Sequence, residues 1–207
     1  MPVATYSTTS IAFFDLDGTV TSKDTLPALL KFIKGKMRYY AGLVVLSPIL
    51  TFYILGLISN HRAKEILLSH FLKGMDLEKF NFLCRKFVET KLPFLLRKEA
   101  LHEIRRHIKN NTQVVIVSAS PENWVLPWCN RYNIACIATK LEVYNNKLTG
   151  KIEGKNCHGT EKVRHILKAY NLSHYSKIYA YGNSRGDLPM LSLATDSYYK
   201  PFIEKVY

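Results

Sequence analysis

The chain has 207 residues and carries 29 Lys and Arg against 16 Asp and Glu, a formal net charge of +13. Its composition, 47% hydrophobic and 22% charged with only 10 Gly and 8 Pro, is globular and excludes collagen-like and low-complexity disordered chains. The length suits one domain, or one domain carrying a sizeable insertion. The basic excess suits an anionic substrate, a nucleic acid or an acidic membrane surface.

The N-terminus and the cysteines both indicate a cytoplasmic protein. The first ten residues, MPVATYSTTS, contain no basic run followed by an apolar stretch, so we predict no secretory signal. The 4 cysteines are scattered, without a C-x-x-C pair or paired Cys/His spacing. This pattern argues against a disulfide framework or a zinc site, and we expect reduced thiols in a protein of the cytoplasm or of the inner face of its membrane.

The first predicted element is a buried strand, Ile11–Phe14, that ends at a loop with two carboxylates. Aromatic and β-branched residues bounded by Asp and Gly are typical of such a strand. Asp15 and Asp17 follow it directly, at the strand end where α/β sheets place their ligands. Two carboxylates this close repel in a dry site, so a divalent cation or a proton must relieve the repulsion. Gly18 permits a tight turn and Thr19 can donate to an anion, although a solvated Asp-rich turn is the alternative.

The next part of the chain, from about residue 25 to about residue 108, is predicted to be helical. Arg62–Lys73, Leu77–Lys91 and Pro93–Lys109 each place apolar residues three to four apart with charged residues on the opposite face. Pro93 suits the first turn of its helix, since proline lacks the N–H that would be unpaired there.

An apolar segment lies inside this helical part. Between Arg38 and Arg62 there is no Asp, Glu, Lys or Arg, and the densest stretch, Ala41–Ile58, is apolar almost all round. A spanning helix needs roughly 20 apolar residues, so this stretch is marginal, and we predict two short helices broken at Ser47-Pro48. Three interpretations remain open: the buried core of a helical cap, a surface that dips into an anionic bilayer beside its flanking cations, and a true span.

Strand patterns return after the helical part and alternate with helices. The predicted elements are the strand Gln113–Val117, the helix Glu122–Tyr132, the strand Ile134–Ala138, a hairpin over Leu141–Ile152 that turns at Asn145-Asn146, the helix Glu161–Tyr170 and the strand Lys177–Tyr181. Short apolar strands that alternate with helices predict a parallel sheet covered on both faces. The chain is therefore predicted to be an α/β core split by a helical insertion after its first strand.

Polar groups follow several of these strands. Ser118 ends the second strong strand, and Asn183 and Asp187 occupy the loop after a later one, with oxygen ligands of the kind that Mg²⁺ prefers. Lys162 lies in the first turn of a predicted helix, where a cation is unfavourable with the helix dipole. We therefore expect Lys162 to have an anionic partner elsewhere. Taken alone, each of these positions could equally be a solvated surface residue.

Four segments, taken in chain order, resemble the four motifs of the haloacid dehalogenase superfamily of phosphotransferases: FFDLDGT, VSASPE, CHGTEK and YGNSRGDLPML. The resemblance covers essentially the whole chain. It places the chain near the phosphoserine-phosphatase-like subfamily IB, and the charge-free segment makes it similar to the phosphatidylglycerophosphatase C group. It implies a Rossmann-like parallel-sheet core of residues 1–22 and 109–207, with an all-helical cap of residues 23–108 inserted after the first strand.

The resemblance also implies the roles of the site residues. Asp15 would be the nucleophile that forms an aspartyl-phosphate, and Asp17 would act first as general acid and then as general base. Mg²⁺ would be held by Asp15, by the backbone carbonyl of Asp17 and by the loop that carries Asn183 and Asp187. The residues expected to bind the substrate phosphate are Thr19, Ser118, Ala119 and Lys162.

Two positions need separate comment. The superfamily commonly has Asp where this chain has Asn183, so we expect weaker metal affinity from the loss of one negative charge. Asp24 matches the place where phosphoserine phosphatases carry an acidic residue that reads the substrate ammonium. Alternatively, Asp24 is the N-cap of a predicted helix over Thr25–Phe32.

These observations predict a Mg²⁺-dependent phosphatase that acts on a phosphomonoester. The net charge of +13 and the apolar segment favour an anionic lipid headgroup such as phosphatidylglycerophosphate, with peripheral contact to an anionic membrane. A phosphatase of a small soluble phosphomonoester such as phosphoserine is one alternative, and a non-catalytic membrane-surface binding module is another. Nucleic-acid binding is not expected, because no compact basic run is interleaved with aromatic residues.

Overall fold

The computed structural model describes residues 9–202. Residues 1–8, which belong to the stretch assessed for a secretory signal, and residues 203–207 lie outside the described part. A six-stranded sheet forms the centre of the molecule, in the order β4-β3-β2-β1-β5-β6. Its strands are β1 (Ser10–Phe14), β2 (Gln113–Pro121), β3 (Ala135–Tyr144), β4 (Lys147–Glu153), β5 (Lys177–Gly182) and β6 (Asp196–Tyr199). All neighbours pair in parallel except β3 and β4, which confirms the predicted α/β fold with a Rossmann-like parallel sheet.

Helices connect the strands and cover the sheet. They are α1 (Thr25–Lys34), α2 (Lys36–Val45), α3 (Ser47–Ile54), α4 (Asn60–Leu72), α5 (Leu77–Thr90), α6 (Lys98–Lys109), α7 (Glu122–Arg131), α8 (Thr160–Ala169) and α9 (Leu188–Leu191). The division into a core of residues 1–22 and 109–207 and a cap of residues 23–108 stays a prediction. Helix α6, which that division assigns to the cap, packs against β2 of the sheet.

Side chains of β1 alternate between the two faces of the sheet, as the two-residue period of a strand requires. Ala12 and Phe14 join a large apolar cluster with residues of α1, α4, α5, α6 and α7. Ile11 and Phe13 join a smaller cluster on the other face, with residues of α8 and α9. Both faces of β1 are therefore buried. Polar residues can follow only where the strand ends, at the edge of the sheet formed by the carboxyl ends of its strands.

The segments by which the chain enters and leaves the helical insertion lie side by side and pair antiparallel. The Ser22 N–H donates to the Leu95 carbonyl oxygen at 2.7 Å, and the Arg97 N–H donates to the Val20 carbonyl oxygen at 2.9 Å. This pairing holds the chain extended around Arg97, so the prediction of one helix over Pro93–Lys109 is wrong. A 3₁₀ turn over Leu92–Leu95 and the separate helix α6 take its place.

The apolar segment forms the helix pair α2–α3, whose axes are bent by 64°. The break falls at Leu46, one residue before the predicted Ser47-Pro48, and Pro48 lies in the first turn of α3. Helix α3 buries none of its side chains. The large apolar side chains exposed in and around the pair are Met37, Tyr40, Val44, Val45, Phe52, Tyr53, Ile54, Leu55 and Leu57. The interpretation of the segment as a buried core is therefore wrong for α3 and for most of α2.

Among the described residues, no single helix is both long enough and apolar enough to cross a membrane. The two helices of the bent pair α2–α3 together have the required length and apolar composition.

Helix α4 packs against the hairpin formed by β3 and β4. The predicted hairpin is confirmed, with Asn145 and Asn146 both in the left-handed conformation that a two-residue turn favours. Strand β3 runs further than the predicted Ile134–Ala138, because its second half forms one arm of the hairpin. At Gly150 of β4, an added Cβ would lie 2.4 Å from the Ser69 Cα, so glycine permits the close approach of α4.

Candidate active site

The loop after β1 is held against the loop after β5. The Asp15 N–H donates to the Tyr181 carbonyl oxygen at 2.9 Å, so the first residue after the strand is still tied to the sheet. The loop then turns at Gly18, whose φ of +85° is a conformation that glycine adopts without strain. A Cβ on Gly18 would lie 2.2 Å from the Asn183 Nδ2, so only glycine allows the two loops to meet here.

Lys162 lies at the centre of the site and is only 1% exposed. Its ammonium group donates to Asp15 Oδ1 at 2.6 Å, to Asp187 Oδ1 at 2.7 Å and to the Val117 carbonyl oxygen at 2.8 Å. All three N–H donors of the lysine are thus used. The predicted anionic partner of this first-turn lysine is present, and it is a pair of buried carboxylates.

The charges of this cluster shift one another. Burial raises the pKa of Asp15 to about 7, although the Lys162 ammonium acts in the opposite direction. Burial would also lower the pKa of Lys162, but Asp15 and Asp187 together raise it above its ordinary value. Burial would raise the pKa of Asp187, but the charge of Lys162 and the hydrogen bonds from Lys162 and Ser184 lower it below its ordinary value. The lysine and the two carboxylates therefore offset the cost of burial for one another, fully for Lys162 and Asp187 and in part for Asp15.

Asp187 also organises its own loop. Its Oδ2 accepts hydrogen bonds from the Asn183 N–H at 3.1 Å, the Ser184 N–H at 2.9 Å and the Ser184 hydroxyl at 2.7 Å. The Asn183 Oδ1 accepts one hydrogen bond within the described residues, from the Thr19 hydroxyl at 3.1 Å. The same hydroxyl lies 2.9 Å from Asp15 Oδ2. Five residues of the predicted site, Asp15, Thr19, Lys162, Asn183 and Asp187, form one connected network.

Asp17 is held on both carboxylate oxygens. Its Oδ1 accepts from the Thr25 N–H at 2.6 Å, and its Oδ2 accepts from the Ser120 hydroxyl at 2.6 Å and more distantly from the Ser118 hydroxyl at 3.4 Å. Asp24 occupies the predicted N-cap position of α1, but its side chain makes no capping hydrogen bond. One of the two N–H groups that a cap usually binds is missing, because the third helical residue is Pro27.

A cavity of about 470 Å³ joins these groups to the helical insertion. Its polar floor includes Asp15, Asp17, Ala119, Ser120, Lys162, Asn183 and Asp187. Side chains of α1, α3 and α4 form the other wall, among them Leu26, Pro27, Leu50, Tyr53 and Leu67. Asp24 also lines the cavity, so it faces the place where a substrate would lie.

Lys64 of α4 is a charged residue of this cavity that the sequence analysis did not select. Its ammonium group donates to the Ala119 carbonyl oxygen and, at 3.2 Å, to the Asn156 Oδ1. Burial lowers the pKa of Lys64 to about 8. Ser120 was also missed, although it lies two residues after Ser118 in the strand β2, and the alternation of a strand could have indicated that both face the same side.

The oxygen atoms at the site suit a hard divalent cation. Within residues 9–202 no group of three or more His, Cys, Asp and Glu residues has the arrangement of a metal site. The ligands implied by the resemblance are instead one carboxylate, one backbone carbonyl and one loop oxygen, and Mg²⁺ usually takes one or two carboxylates and keeps several waters. Both oxygens of Asp187 accept hydrogen bonds, and the Asn183 Oδ1 accepts one from Thr19.

Fold and site together define an α/β enzyme whose polar cavity opens at the carboxyl ends of parallel strands. The chain belongs to the haloacid dehalogenase-like hydrolases, because the model of that family matches residues 12–192. The predicted superfamily and the prediction of a hydrolytic enzyme are thereby confirmed.

Individual relatives are similar over nearly the whole chain. Protein CicA of Caulobacter vibrioides is 31% identical over 191 residues, which are 91% of this chain and 85% of CicA. A crystal structure of a Bordetella pertussis Tohama I protein of unknown function has a TM-score of 0.76 at 21% identity, covering 92% of this chain and 89% of that one. A phospho-aspartyl intermediate analogue of phosphoserine phosphatase has a TM-score of 0.65 at 17% identity, covering 91% and 84%. At these identities the solved structures show a shared fold.

Proposed function

We propose that this protein is a Mg²⁺-dependent phosphatase that hydrolyses a phosphomonoester through an aspartyl-phosphate on Asp15. One observation carries the proposal: the buried Asp15 carboxylate contacts Lys162 at 2.6 Å and lines the same cavity as a second carboxylate, Asp17. A nucleophile and an acid/base group in one cavity are what a two-step phosphoryl transfer requires. The fold shared with solved phosphoserine phosphatases supports this choice among hydrolytic reactions.

In the first step an Asp15 oxygen attacks phosphorus, and the bond from phosphorus to the leaving oxygen breaks. Asp17 gives its proton to that oxygen, so an alcohol leaves. In the second step Asp17 takes a proton from water, the water oxygen attacks phosphorus, and the Asp15 carboxylate is released together with phosphate. The hydrogen bond from Lys162 favours the ionised form of Asp15, which burial opposes. Thr19 and Ser118, the hydroxyls that the resemblance assigns to the phosphate, donate in this structure to Asp15 and more distantly to Asp17.

Mg²⁺, when bound, would neutralise negative charge on the phosphoryl group. We assign it to Asp15, to the backbone carbonyl of Asp17 and to the Asn183 side chain, with Asp187 ordering the loop. The amide at Asn183 contributes no charge, so the site is expected to bind the cation more weakly than a site with a carboxylate there.

The substrate we favour is the phosphate of an anionic lipid headgroup, acted on at the inner face of a membrane. Leu50 and Tyr53 of the exposed helix α3 line the cavity of Asp15, so an apolar surface leads directly to the reacting groups. Cations near the ends of the helix pair would contact anionic headgroups: Lys31, Lys34, Lys36, Arg38 and Arg62. This choice agrees with the resemblance to subfamily IB and to the phosphatidylglycerophosphatase C group.

A small soluble phosphomonoester such as phosphoserine is the second candidate. Asp24 and Lys64 carry opposite charges and line the same cavity, which is the pairing that the ammonium and carboxylate of an amino acid would need. In this case the apolar wall of α3 would have no role in binding the substrate.

Turnover of 4-nitrophenyl phosphate tests the chemistry. The purified protein is expected to release phosphate with Mg²⁺ and to lose that activity with excess EDTA, and Asp15→Asn is expected to lower the rate to the uncatalysed background because the amide is no nucleophile. Circular dichroism and urea unfolding of the variant control for its fold. Substantial activity of Asp15→Asn would contradict the nucleophile assignment, and an inactive wild type would favour a non-catalytic binding module.

A substrate panel then separates the two candidates. Phosphatidylglycerophosphate, phosphatidic acid and phosphoserine are compared as substrates at equal phosphate concentration, the lipids in mixed micelles. We expect the highest kcat/KM for a lipid phosphate. Hydrolysis of phosphoserine alone, together with no binding to anionic vesicles, would exclude the lipid substrate.

A further inference from the structure

We infer that Ser120 is a positioning residue for Asp17, an inference that rests on the acid/base role proposed above. The Ser120 hydroxyl lies 2.6 Å from Asp17 Oδ2 and 3.2 Å from the Thr25 hydroxyl. The Thr25 hydroxyl in turn accepts from the Trp124 Nε1–H at 2.9 Å. These contacts form a chain from the indole through two hydroxyls to the carboxylate.

The direction of this chain follows from the number of protons. The Trp124 indole nitrogen can only donate, and Asp17 can only accept once it has given its proton to the leaving oxygen and is ionised. Ser120 has one hydroxyl proton and uses it toward Asp17, so it must accept from Thr25 between the two hydroxyls. Each group therefore has one orientation, and the last donor points at the Oδ2 of Asp17.

The chain is rigid because its members are buried and belong to different elements. Trp124 and Thr25 are fully buried, Ser120 is nearly so, and they lie on α7, α1 and β2. The backbone N–H of Thr25 holds the other oxygen of Asp17 at 2.6 Å. With both oxygens fixed, the carboxylate has a defined direction toward the cavity, which is what proton transfer to a leaving oxygen requires.

The role of the Ser120 hydroxyl differs from that of Ser118. The Ser118 hydroxyl lies 3.4 Å from Asp17 Oδ2 and accepts from the Ser120 N–H at 3.0 Å, so it is at most a weak partner of the acid/base group. Ser120 is the close side-chain donor to that oxygen. The geometry thus makes Ser120, rather than Ser118, the residue of the VSASPE segment that orients Asp17.

The dependence of the rate on the leaving group tests this inference. The variant Ser120→Ala is assayed with 4-nitrophenyl phosphate, whose leaving group needs no proton, and with the alkyl phosphate of the panel above that the wild type turns over fastest. We compare kcat/KM, because it reports the first step, in which Asp17 acts as the acid. We expect a loss of at least about tenfold for the alkyl phosphate and less than about threefold for the aryl phosphate, since general acid catalysis contributes roughly 10²–10⁴-fold.

Further variants keep the test decisive. Ser120→Thr keeps the hydroxyl and should recover most of the alkyl phosphate activity, whereas Thr25→Val removes the relay hydroxyl and should show the same selective loss even if Ser120→Ala fails to fold. Ser192→Ala, an exposed hydroxyl outside the cavity, is the matched control and should change neither rate. Equal losses for both substrates, or no loss, would overturn the inference. A wild type that hydrolyses neither substrate would overturn the proposed function itself.

Discussion

Lys162 joins two loops that are far apart in the sequence, and the network around it depends on this single positive charge. The lysine forms ion pairs with Asp15 and Asp187, and none of the three side chains is appreciably exposed. Removing one member of such a cluster leaves charge buried without compensation, which is strongly destabilising. The same cluster that would serve the chemistry is therefore also part of what holds the sheet edge together.

Replacement of Lys162 by methionine should lower the free energy of unfolding by about 3–5 kcal/mol, because two buried carboxylates lose their cation. Urea unfolding at neutral pH measures the change. The matched control is Lys168→Met, an exposed lysine of the same helix, which should change stability by less than about 0.5 kcal/mol. Similar effects of the two variants would contradict the ionic role of Lys162.

Asn183→Asp should tighten Mg²⁺ binding by roughly tenfold, because the affinity of oxygen sites for hard cations rises with ligand charge. The measurement is a Mg²⁺ titration followed by calorimetry. Asn130→Asp makes the same charge change at an exposed position of α7 and controls for the net charge of the protein. An unchanged titration for Asn183→Asp would argue against this loop as the metal site.

For individual residues, the sequence predicted which side chains lie close together mainly where they follow the ends of parallel strands. Asp15 and Asp187 could be brought together in advance, because the ends of parallel strands share one edge of a sheet, whereas Lys162, in the first turn of a helix, was placed with them by the resemblance of its motif. Lys64 could not be placed there, since it reaches the cavity from α4 and its position depends on how the insertion folds back over the sheet. Tertiary packing of the insertion, rather than local pattern, decided that contact.

Among the elements, the helix pair α2–α3 is the one whose environment the sequence left open. A helix that is apolar all round is usually buried, and that rule favoured a core position for this segment. In the structure α3 instead presents its apolar side chains outward, with Ile54 at 80% exposure, and Leu57, three residues after the helix, is 68% exposed. An exposed apolar surface of this kind marks an interaction site.

The double variant Ile54→Glu/Leu57→Glu should bind anionic vesicles at least about tenfold more weakly, because each side chain contributes roughly 1.5–3 kcal/mol when it leaves water. Co-sedimentation with vesicles of phosphatidylglycerol and phosphatidylcholine measures the partition. Phe94→Glu is the control, since Phe94 is 84% exposed but lies in the 3₁₀ turn over Leu92–Leu95, in a different part of the insertion. Equal binding of wild type and double variant would contradict membrane contact through α3.

The false prediction of one helix over Pro93–Lys109 has a clear cause. Its apolar periodicity is continuous, so nothing in the local sequence marks a break. The break arises because the returning chain pairs with residues 20–22, which are distant in sequence. Strand β6 was likewise missed, since four residues bordering β5 offer too short a pattern to predict a strand.

At the scale of the whole molecule, the buried histidine His107 ties stability to pH. Its side chain on α6 is 3% exposed, and its Nε2 lies 2.8 Å from the Tyr181 hydroxyl, with Glu103 and Arg106 nearby. Burial lowers the pKa of His107 below that of an unfolded histidine. As the pH falls below about 6.5, the unfolded chain takes up a proton here before the folded protein does, so stability is lost.

The free energy of unfolding of the wild type should therefore fall more between pH 7.5 and pH 5.5 than that of His107→Gln. Urea unfolding of both proteins at the two pH values gives the comparison, and each protein's value at pH 7.5 is its own reference. The same decrease in both proteins would show that other groups cause the loss of stability in acid.

The overall architecture was predictable because strands and helices alternate along most of the chain, and the β3–β4 hairpin was predictable from its two asparagines. What could not be predicted is how the insertion lies on the sheet, since that depends on shape at contacts such as the one between α4 and β4.

Gly150 lies on the β3–β4 hairpin and does not line the cavity of Asp15 and Asp17, yet α4 packs directly against its backbone, and α4 supplies Lys64 and Leu67 to that cavity. A side chain at this position would clash with the backbone of Ser69, so α4 could not keep its place against β4. The position of α4 beside the cavity therefore depends on the absence of a side chain at a residue that lies 81 positions along the chain from Ser69.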